Sequence, residues 1–450
     1  MTRAEKREAR SKLKKDIAEF IKIQSHYFPD FIEDLRNVLD ARKLNYITYE
    51  IEVILYVMIL KNACSIESMQ AMTEEFNMIE CAKNIFKILG LPERDYLPHY
   101  VTINDCLEKL DNTELEKVRK KMIYGMIRNK RYDNAKFLGK HWLIIVDATQ
   151  LFCFDERHCE HCLTKTVNKG KPDEKTYYYH QVLEAKIVFG DGLVISIATE
   201  FIENPKENPT KQECEIKTFV KLAASLKKMF PRLPICLLAD SLYAKDTVFE
   251  ICRANNWEFL IRYKDGSIPT LAEDFHTIVD MGECELSEKD VEREFKRRAS
   301  ISEKHNMRWV NDMDYKGKPV AVMELDIERD GKDWKLFKWI SSQRINARNA
   351  AVFAETGRKR WMIENEGFNI QKNHRYIITH ANSMNYNAMK NHYLLTQIAD
   401  ILVQMYETGV EGLKKVRRTI ENIAKCLLDS LQKQAITEED LTIEKFQIRI

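Results

Sequence analysis

Two apolar runs of the sequence end directly in an aspartate. Residues 142–146 are followed by Asp147, and residues 234–239 are followed by Asp240. A short continuous apolar run of this kind is typical of a central strand that is buried on both faces of its sheet. We therefore expect two buried strands of one sheet, each with a carboxylate at its end.

The segments around these two strands determine the expected topology. They predict strands at 184–189 and 193–201 joined by a turn at 190–192, helices at 213–230 and 244–255, and a strand at 257–262. The order strand, strand, strand, helix, strand, helix, strand is that of an RNase H-like mixed sheet, in which the first and fourth strands are neighbours. Asp147 and Asp240 are then expected side by side.

The length and the periodicity of the chain predict several units. At roughly 150 residues per domain, 450 residues suggest an α/β protein of the α+β multidomain type. We expect an RNase H-like core, an all-helical N-terminal domain and a β-rich insertion subdomain. The predicted bounds are a helical domain at 1–135, the first part of the core at 136–270, the insertion at 271–345, a helical part of the core at 346–407 and a helical tail at 408–450.

The N-terminal helices are short and closely joined. Ser65 is expected to cap a helix at 66–74, and another helix follows at 77–89. Such a pattern suits a helix-turn-helix-like DNA reader, and it suits an ordinary helical bundle equally well. Residues 1–16 are rich in Lys and Arg, which is compatible with a phosphate-bearing partner. We interpret this region as a DNA-binding domain.

The composition limits the class of protein. With 44% hydrophobic and 31% charged residues, the chain is typical of a globular protein. Its longest apolar run, 53–60, is far shorter than the roughly 18 residues that a membrane span needs. The first residues are charged, so we expect no secretory signal and a cytoplasmic location. Eleven irregularly spaced cysteines favour reduced thiols over a disulfide framework.

A third acidic residue stands on a later predicted helix. Arg360 and Glu364 are four residues apart and would share one helical face, with Lys372 about two turns further on. Glu366 is an alternative, although it would point to a nearly opposite face. Three carboxylates are sufficient to hold two Mg²⁺ or Mn²⁺ ions, which can activate a nucleophile and stabilise a leaving group in phosphodiester cleavage. We therefore interpret Asp147, Asp240 and Glu364 as metal-binding and catalytic.

Several passages resemble bacterial insertion-sequence transposases of the cut-and-paste DDE group. The likeness covers about residues 90 to 410, and the passages that carry it are 146–149, 200–203, 211–215, 238–243 and 360–364. The resemblance implies a carboxylate triad on an RNase H-like core and a β-rich insertion before the glutamate. It also implies cleavage of DNA at transposon ends followed by strand transfer into target DNA.

The resemblance extends to partners and location. It implies double-stranded DNA as substrate, both terminal inverted repeats and target, and a homodimer in the DNA complex. It places the protein in a bacterial cytoplasm, associated with the nucleoid when bound to DNA. Two alternatives remain open: a catalytically inactive or domesticated DNA-binding relative, and a metal-dependent nuclease on the same core.

The chain departs from a signature that this group often shows: Tyr, two residues, Arg, three residues, Glu, six residues, Lys. Arg360 and Glu364 fit that spacing, but Gly357 stands at the Tyr position and Gln371 at the Lys position. Lys372 follows one residue late. The resemblance assigns Arg360 and Lys372 to phosphate contacts.

Lys264 is a third candidate for contacting the DNA backbone, and a solvated lysine at a strand end is the alternative interpretation. Lys264 lies just after the predicted strand at 257–262.

Two cysteines have the spacing of a zinc knuckle. Cys159 and Cys162 are separated by two residues, and His180 and Cys214 are more distant candidate ligands. Because one such pair is only half a site, the sequence leaves two interpretations, a structural zinc ion or reduced cysteines.

Overall fold

The computed structural model describes residues 16–43, 45, 47–156, 158–190, 192–203, 215–295, 298–329, 332–409 and 419–441. The basic segment before Asp16, the candidate ligand Cys214 and parts of the predicted tail at 408–450 lie outside these residues. Among the described residues, no helix is both long and apolar enough to cross a membrane.

The N-terminal region is helical, as predicted. Its helices are α1 Asp16–Tyr27, α2 Phe31–Arg36, α3 Ile51–Ala63, α4 Met69–Phe76, α5 Ile79–Ile88, α6 Tyr100–Lys109 and α7 Asn112–Arg128. Helix α3 is buried along its whole length, so it forms the centre of this region. The prediction that Ser65 caps the next helix is wrong. Ser65 has a φ of 54°, and Ser68 accepts the capping hydrogen bond from the Ala71 N–H.

The central sheet has the predicted RNase H-like order. The elements that follow the N-terminal helices are β1 Trp142–Phe154, β2 Leu163–Val167, β3 Lys175–Val188, β4 Val194–Ile202, α8 Glu215–Met229, β5 Ile235–Ala239, α9 Asp246–Ala254 and β6 Glu258–Arg262. Strand β1 pairs antiparallel with β3 and parallel with β5, while β4 pairs with β3 and β6 with β5. The first and fourth strands of the predicted topology are therefore neighbours.

Two details of this sheet differ from the prediction. Strand β1 does not end at Asp147 but continues to Phe154, because Asp147 still pairs with Glu184 of β3. Strand β2 was not predicted, since it has the polar sequence of an edge strand, and it pairs with the first half of β3. The antiparallel pair of strands β1 and β3 thus extends well beyond Asp147.

The segment after β6 is also β-rich, as expected, but it is longer and more regular than its sequence suggests. It contains α10 Pro269–Asp280, β7 Glu285–Phe295, β8 Arg298–Tyr315, β9 Lys318–Arg329 and β10 Lys332–Ser341. The predicted short strands at 320–325 and 334–339 lie inside β9 and β10. Strand β10 pairs with β6 through Trp339 and Arg262, so the insertion continues the central sheet.

The helical part that follows includes an uncommon winding. Helix α11 Ala350–Arg358 leads through a 3₁₀ turn, Lys359–Trp361, into two π-helical segments, π1 Ile363–Asn369 and π2 Gln371–Arg375. The remaining helices are α12 Tyr386–Gly409, α13 Ile420–Lys433 and α14 Glu438–Leu441. Helix α12 packs against α3 of the N-terminal region and lies in a hydrophobic core that also includes β1 and β3.

Candidate active site

Asp147 and Asp240 lie at one edge of the central sheet. Strands β1 and β5 are in register at Ile145 and Leu238, so each aspartate stands two residues beyond the same pair. Asp240 directly follows β5, and its Oδ1 accepts a hydrogen bond from the Leu242 N–H at 2.9 Å. Residues far apart in the sequence are thereby placed on neighbouring strands.

The electrostatics of Asp147 show that the third carboxylate is close. Burial raises the pKa of Asp147 to about 6; the positive charge of Arg360 lowers it, whereas Asp240 and Glu364 raise it. Two carboxylates can have this effect only at short range, because bulk water screens more distant charges. Asp240 and Glu364 therefore share the surroundings of Asp147.

Arg360 contacts this group of carboxylates directly. Its Nη1 lies 3.4 Å from Asp147 Oδ2, and its guanidinium lies over the Trp361 ring at 4.5 Å. The side chain of Arg360 is largely buried, whereas Glu364 is exposed on π1. Arg360 lies in the 3₁₀ turn and Glu364 in π1, so the segment is not a regular α-helix, but both side chains act on Asp147.

The winding of π1 and π2 explains how Lys372 can serve as the signature lysine although it stands one residue after the expected position. A π-helix closes its turns with i→i+5 hydrogen bonds and so contains more residues per turn than an α-helix. Lys372 interacts with both Asp147 and Glu364, although burial lowers its pKa. Gln371, at the signature position, is instead fully buried and donates to Asp400 Oδ2 at 2.8 Å.

Gly357 takes the place of the signature tyrosine for a packing reason. A Cβ on Gly357 would lie under 3.0 Å from three ring atoms of Trp339. Trp339 belongs to β10 and is itself buried. No side chain fits at this position while the tryptophan of the insertion packs there.

A fourth carboxylate, Glu215, was missed as a site residue. It begins α8, and its Oε1 accepts a hydrogen bond from the Tyr243 hydroxyl at 2.5 Å. Burial raises the pKa of Glu215 to about 6; the hydrogen bond from Tyr243 opposes this rise, and the charges of Asp147 and Asp240 contribute to it. The available signal was that Glu215 closes one passage of the family resemblance and Tyr243 closes another.

Arg262, at the end of β6, is a second residue that sequence reasoning missed. Its pKa is lowered first by burial and then by Arg360, while Asp240 acts in the opposite direction. It therefore lies beside the carboxylates. The predicted Lys264 is exposed two residues later, at the start of the turn Asp265–Ser267. The structure thus brings Arg360, Lys372 and Arg262 to the carboxylates.

The donor set suits a hard cation. Carboxylate oxygens are the ligands that Mg²⁺ and Mn²⁺ prefer, and their mutual repulsion would be relieved by divalent ions. Among the described residues, one group of three possible metal ligands has all its ligand atoms within 4.8 Å of one another, and it consists of Cys159, Cys162 and His180. The oxygens of Asp147, Asp240 and Glu364 are not all this close together. The three carboxylates are therefore less closely grouped than the two cysteines and the histidine, although Asp240 and Glu364 both act on Asp147.

A comparison with protein-family models identifies the arrangement. The Transposase DDE domain model matches residues 138–399, more than half of the chain. The chain belongs to the DDE transposase family. The matched segment includes Asp147, Asp240 and Glu364, and family membership makes the protein a DNA-cutting enzyme of the transposase type. DDE transposases generally use divalent metal ions such as Mg²⁺. A comparison with curated proteins found no match.

Proposed function

We propose that this DDE transposase cuts DNA at transposon ends and joins the ends to target DNA, using two Mg²⁺ or Mn²⁺ ions held by Asp147, Asp240 and Glu364. The observation that carries the proposal is the convergence of these carboxylates around Asp147, next to Arg360 and Lys372. A group of acids surrounded by cations is suited to bind metal ions on one side and phosphates on the other.

The metal ions would supply the activation of the attacking hydroxyl and the stabilisation of the leaving oxygen. The protein's own side chains have positioning roles. Arg360 is held between Asp147 and Trp361, so its guanidinium is oriented before a phosphate arrives. Lys372 adds a charge near Asp147 and Glu364, and Arg262 adds one near Asp240. Together they offset the negative charge of the DNA backbone close to the reacting phosphate.

The proposed substrate is double-stranded DNA with terminal inverted repeats, followed by target DNA. We expect a homodimer in the DNA complex, because two transposon ends must be processed together and each chain contributes one carboxylate triad. Light scattering of the protein with and without end-bearing DNA measures this directly. A complex that holds two ends and one chain would contradict it.

Cleavage of end-bearing DNA with Mg²⁺ tests the mechanism. We expect the natural substrate to be inverted repeats that flank the coding region. We expect Asp147→Asn to abolish cleavage while DNA binding persists, and Asp155→Asn, at an exposed position just beyond the same strand, to cleave normally. Undiminished cleavage by Asp147→Asn would overturn the proposal.

A strand-transfer assay separates the proposal from its alternatives. A transposase yields ends joined to a target plasmid, whereas a metal-dependent nuclease yields cut ends alone. A catalytically inactive DNA-binding relative would bind the ends and yield neither product.

A further inference from the structure

A second group of metal-ligating side chains lies away from the carboxylates, where β1, β2 and β3 meet. Cys159 and Cys162 bracket a tight turn just before β2: the Cys162 N–H donates to the Cys159 carbonyl at 3.2 Å, and the Cys159 N–H donates to Cys162 Sγ at 3.4 Å. His180 lies on β3 next to Tyr179, which pairs with Leu163 of β2. The pairing of β2 with β3 therefore brings the turn against the imidazole.

The distances within this group fit three of the four ligand positions of a tetrahedral metal site. The two Sγ atoms are 3.7 Å apart, and each is 3.3 Å from His180 Nε2. Metal–ligand bonds of about 2.3 Å to sulfur and about 2.0 Å to nitrogen at tetrahedral angles give about 3.8 Å between sulfurs and about 3.5 Å from sulfur to nitrogen. A disulfide would need about 2.0 Å between the sulfurs. The geometry is thus that of ligands around one ion.

The surroundings hold the imidazole in place. Cys162 and His180 are buried, the Phe152 ring meets His180 edge-on at 5.4 Å, and the Tyr386 ring stacks on it at 5.3 Å. A buried polar group costs stability unless it has a partner, and here both sulfurs face the same imidazole nitrogen. This is a built site rather than a chance approach of exposed side chains.

We propose that Cys159, Cys162 and His180 bind one structural Zn²⁺ ion. Thiolate and imidazole ligands select Zn²⁺ over the hard cations that carboxylates bind, so this site and the carboxylate site would hold different metals.

The ion would stabilise the far end of the antiparallel pair β1 and β3, beyond Asp147. It would fix the loop between β1 and β2 to β3 next to Tyr386, the first residue of α12. The Tyr386 hydroxyl donates to Glu203 Oε1 at 2.7 Å, and the ring of His161 also stacks on Tyr386, at 4.1 Å. Loss of zinc is therefore expected to weaken the packing of the β1–β2 loop and β3 against α12.

Metal analysis of the purified full-length protein tests the proposal. Cells are grown with added zinc, and the metal content is measured by mass spectrometry after gel filtration with reductant. We expect about one zinc per chain and an at least tenfold lower content in Cys159→Ser, Cys162→Ser and His180→Asn. Cys153→Ser is the matched control, because Cys153 is exposed and close in sequence but outside the group. Asp147→Asn should also retain its zinc.

Cobalt substitution provides a readout that does not depend on how the variants fold. Wild-type protein stripped of zinc with a chelator is titrated with Co²⁺. We expect the visible bands of tetrahedral cobalt and a sulfur-to-metal charge-transfer band, both abolished by added Zn²⁺. Wild-type protein that lacks zinc and gives no such bands would overturn the proposal. So would a Cys159–Cys162 disulfide in protein purified with reductant, or equal loss of zinc in Cys153→Ser.

Discussion

Arg360 is the more buried partner of its ion pair with Asp147, with side-chain exposures of 9% and 24% and 3.4 Å between Nη1 and Oδ2. The guanidinium is therefore more enclosed by the protein than the carboxylate that it contacts. The same guanidinium lowers the pKa of Asp147 against the opposing effect of burial. Arg360 thus favours the ionised form of Asp147 that a metal ligand needs.

Replacement of Arg360 is expected to impair cleavage strongly. Arg360→Gln removes a fixed charge next to Asp147, where we propose that the phosphate reacts, and the loss of one such group typically costs about 100-fold in rate. Lys359→Gln is the matched control, since Lys359 is the exposed neighbour on the same turn. Single-turnover cleavage of end-bearing DNA measures both. Cleavage by Arg360→Gln within a few-fold of wild type would show that the guanidinium is not part of the site.

The two acidic residues of π1 are expected to differ in importance. Glu364 perturbs Asp147, whereas Glu366 lies near Trp361 and Lys335 on the insertion side. Glu364→Gln should reduce cleavage at least 100-fold by removing a metal ligand, while Glu366→Gln should leave most of it. Cleavage at several Mg²⁺ concentrations is the measurement. If Glu366→Gln proved the more damaging change, the third carboxylate would be reassigned.

Lys372 and Lys264 provide a test of which lysine serves the site. Lys372 is half-buried and interacts with Asp147 and Glu364, while Lys264 is exposed. We expect Lys372→Ala to lower the cleavage rate about tenfold, and Lys264→Ala to change only salt-dependent DNA binding. Rates and binding are compared across a salt series. Equal effects of the two substitutions on the rate would contradict this ordering.

Gly357→Ala is expected to destabilise the fold. The added methyl would meet the Trp339 ring at under 3.0 Å, and overpacking of a well-packed site costs about 1–3 kcal/mol. Gly266→Ala is the control, because a Cβ there has nothing within 4 Å. Denaturant unfolding measures both variants. In a Trp339→Leu background the cost of Gly357→Ala should shrink; an unchanged cost would indicate another cause.

His392 is expected to make stability depend on pH. It is fully buried in the helical region, and burial lowers its pKa from 6.5 to about 3. Below pH 6.5 His392 is protonated in the unfolded chain but stays neutral in the folded chain. The free energy of unfolding therefore decreases as the pH falls from 6.5 towards 3. Between pH 7 and pH 5 this loss amounts to about 2 kcal/mol.

Denaturant unfolding of wild type and His392→Gln at both pH values isolates this contribution. The variant should lose about 2 kcal/mol less than wild type between pH 7 and pH 5. An identical pH dependence of the two proteins would show that His392 is protonated equally in both states.

The strands that carry Asp147 and Asp240 could be predicted because a buried strand has a local sequence pattern. In both cases this pattern is an apolar run followed directly by an aspartate. The spacing of Arg360 and Glu364 on a later predicted helix added the third carboxylate, and the family resemblance agreed with it. Neither source revealed Glu215 or Arg262 as site residues, because their position depends on how α8 and β6 pack around Asp240. Such contacts between distant segments leave no periodicity in the sequence.

The helical segment around Glu364 shows a second limit. Its composition is compatible with an α-helix, yet the segment is π-helical, and the buried Gln371 within it contacts Asp400 of α12, a residue distant in sequence. The length of the insertion strands was underestimated for a similar reason. Charged residues on β7 and β8 pair across strands, for example Lys304 with Glu288, so these strands look polar in sequence.

The π-helical winding between Glu364 and Lys372 has a bearing on how chains of this kind are compared. A pattern with a rigid gap of six residues scores the lysine as lost, whereas the wider turn absorbs the extra residue and returns the side chain to the carboxylates. The gap length is therefore an adjustable quantity, and the functional requirement is that the two side chains project in the same direction. Searches that allow one residue of slack at this point should recover chains that a fixed spacing discards.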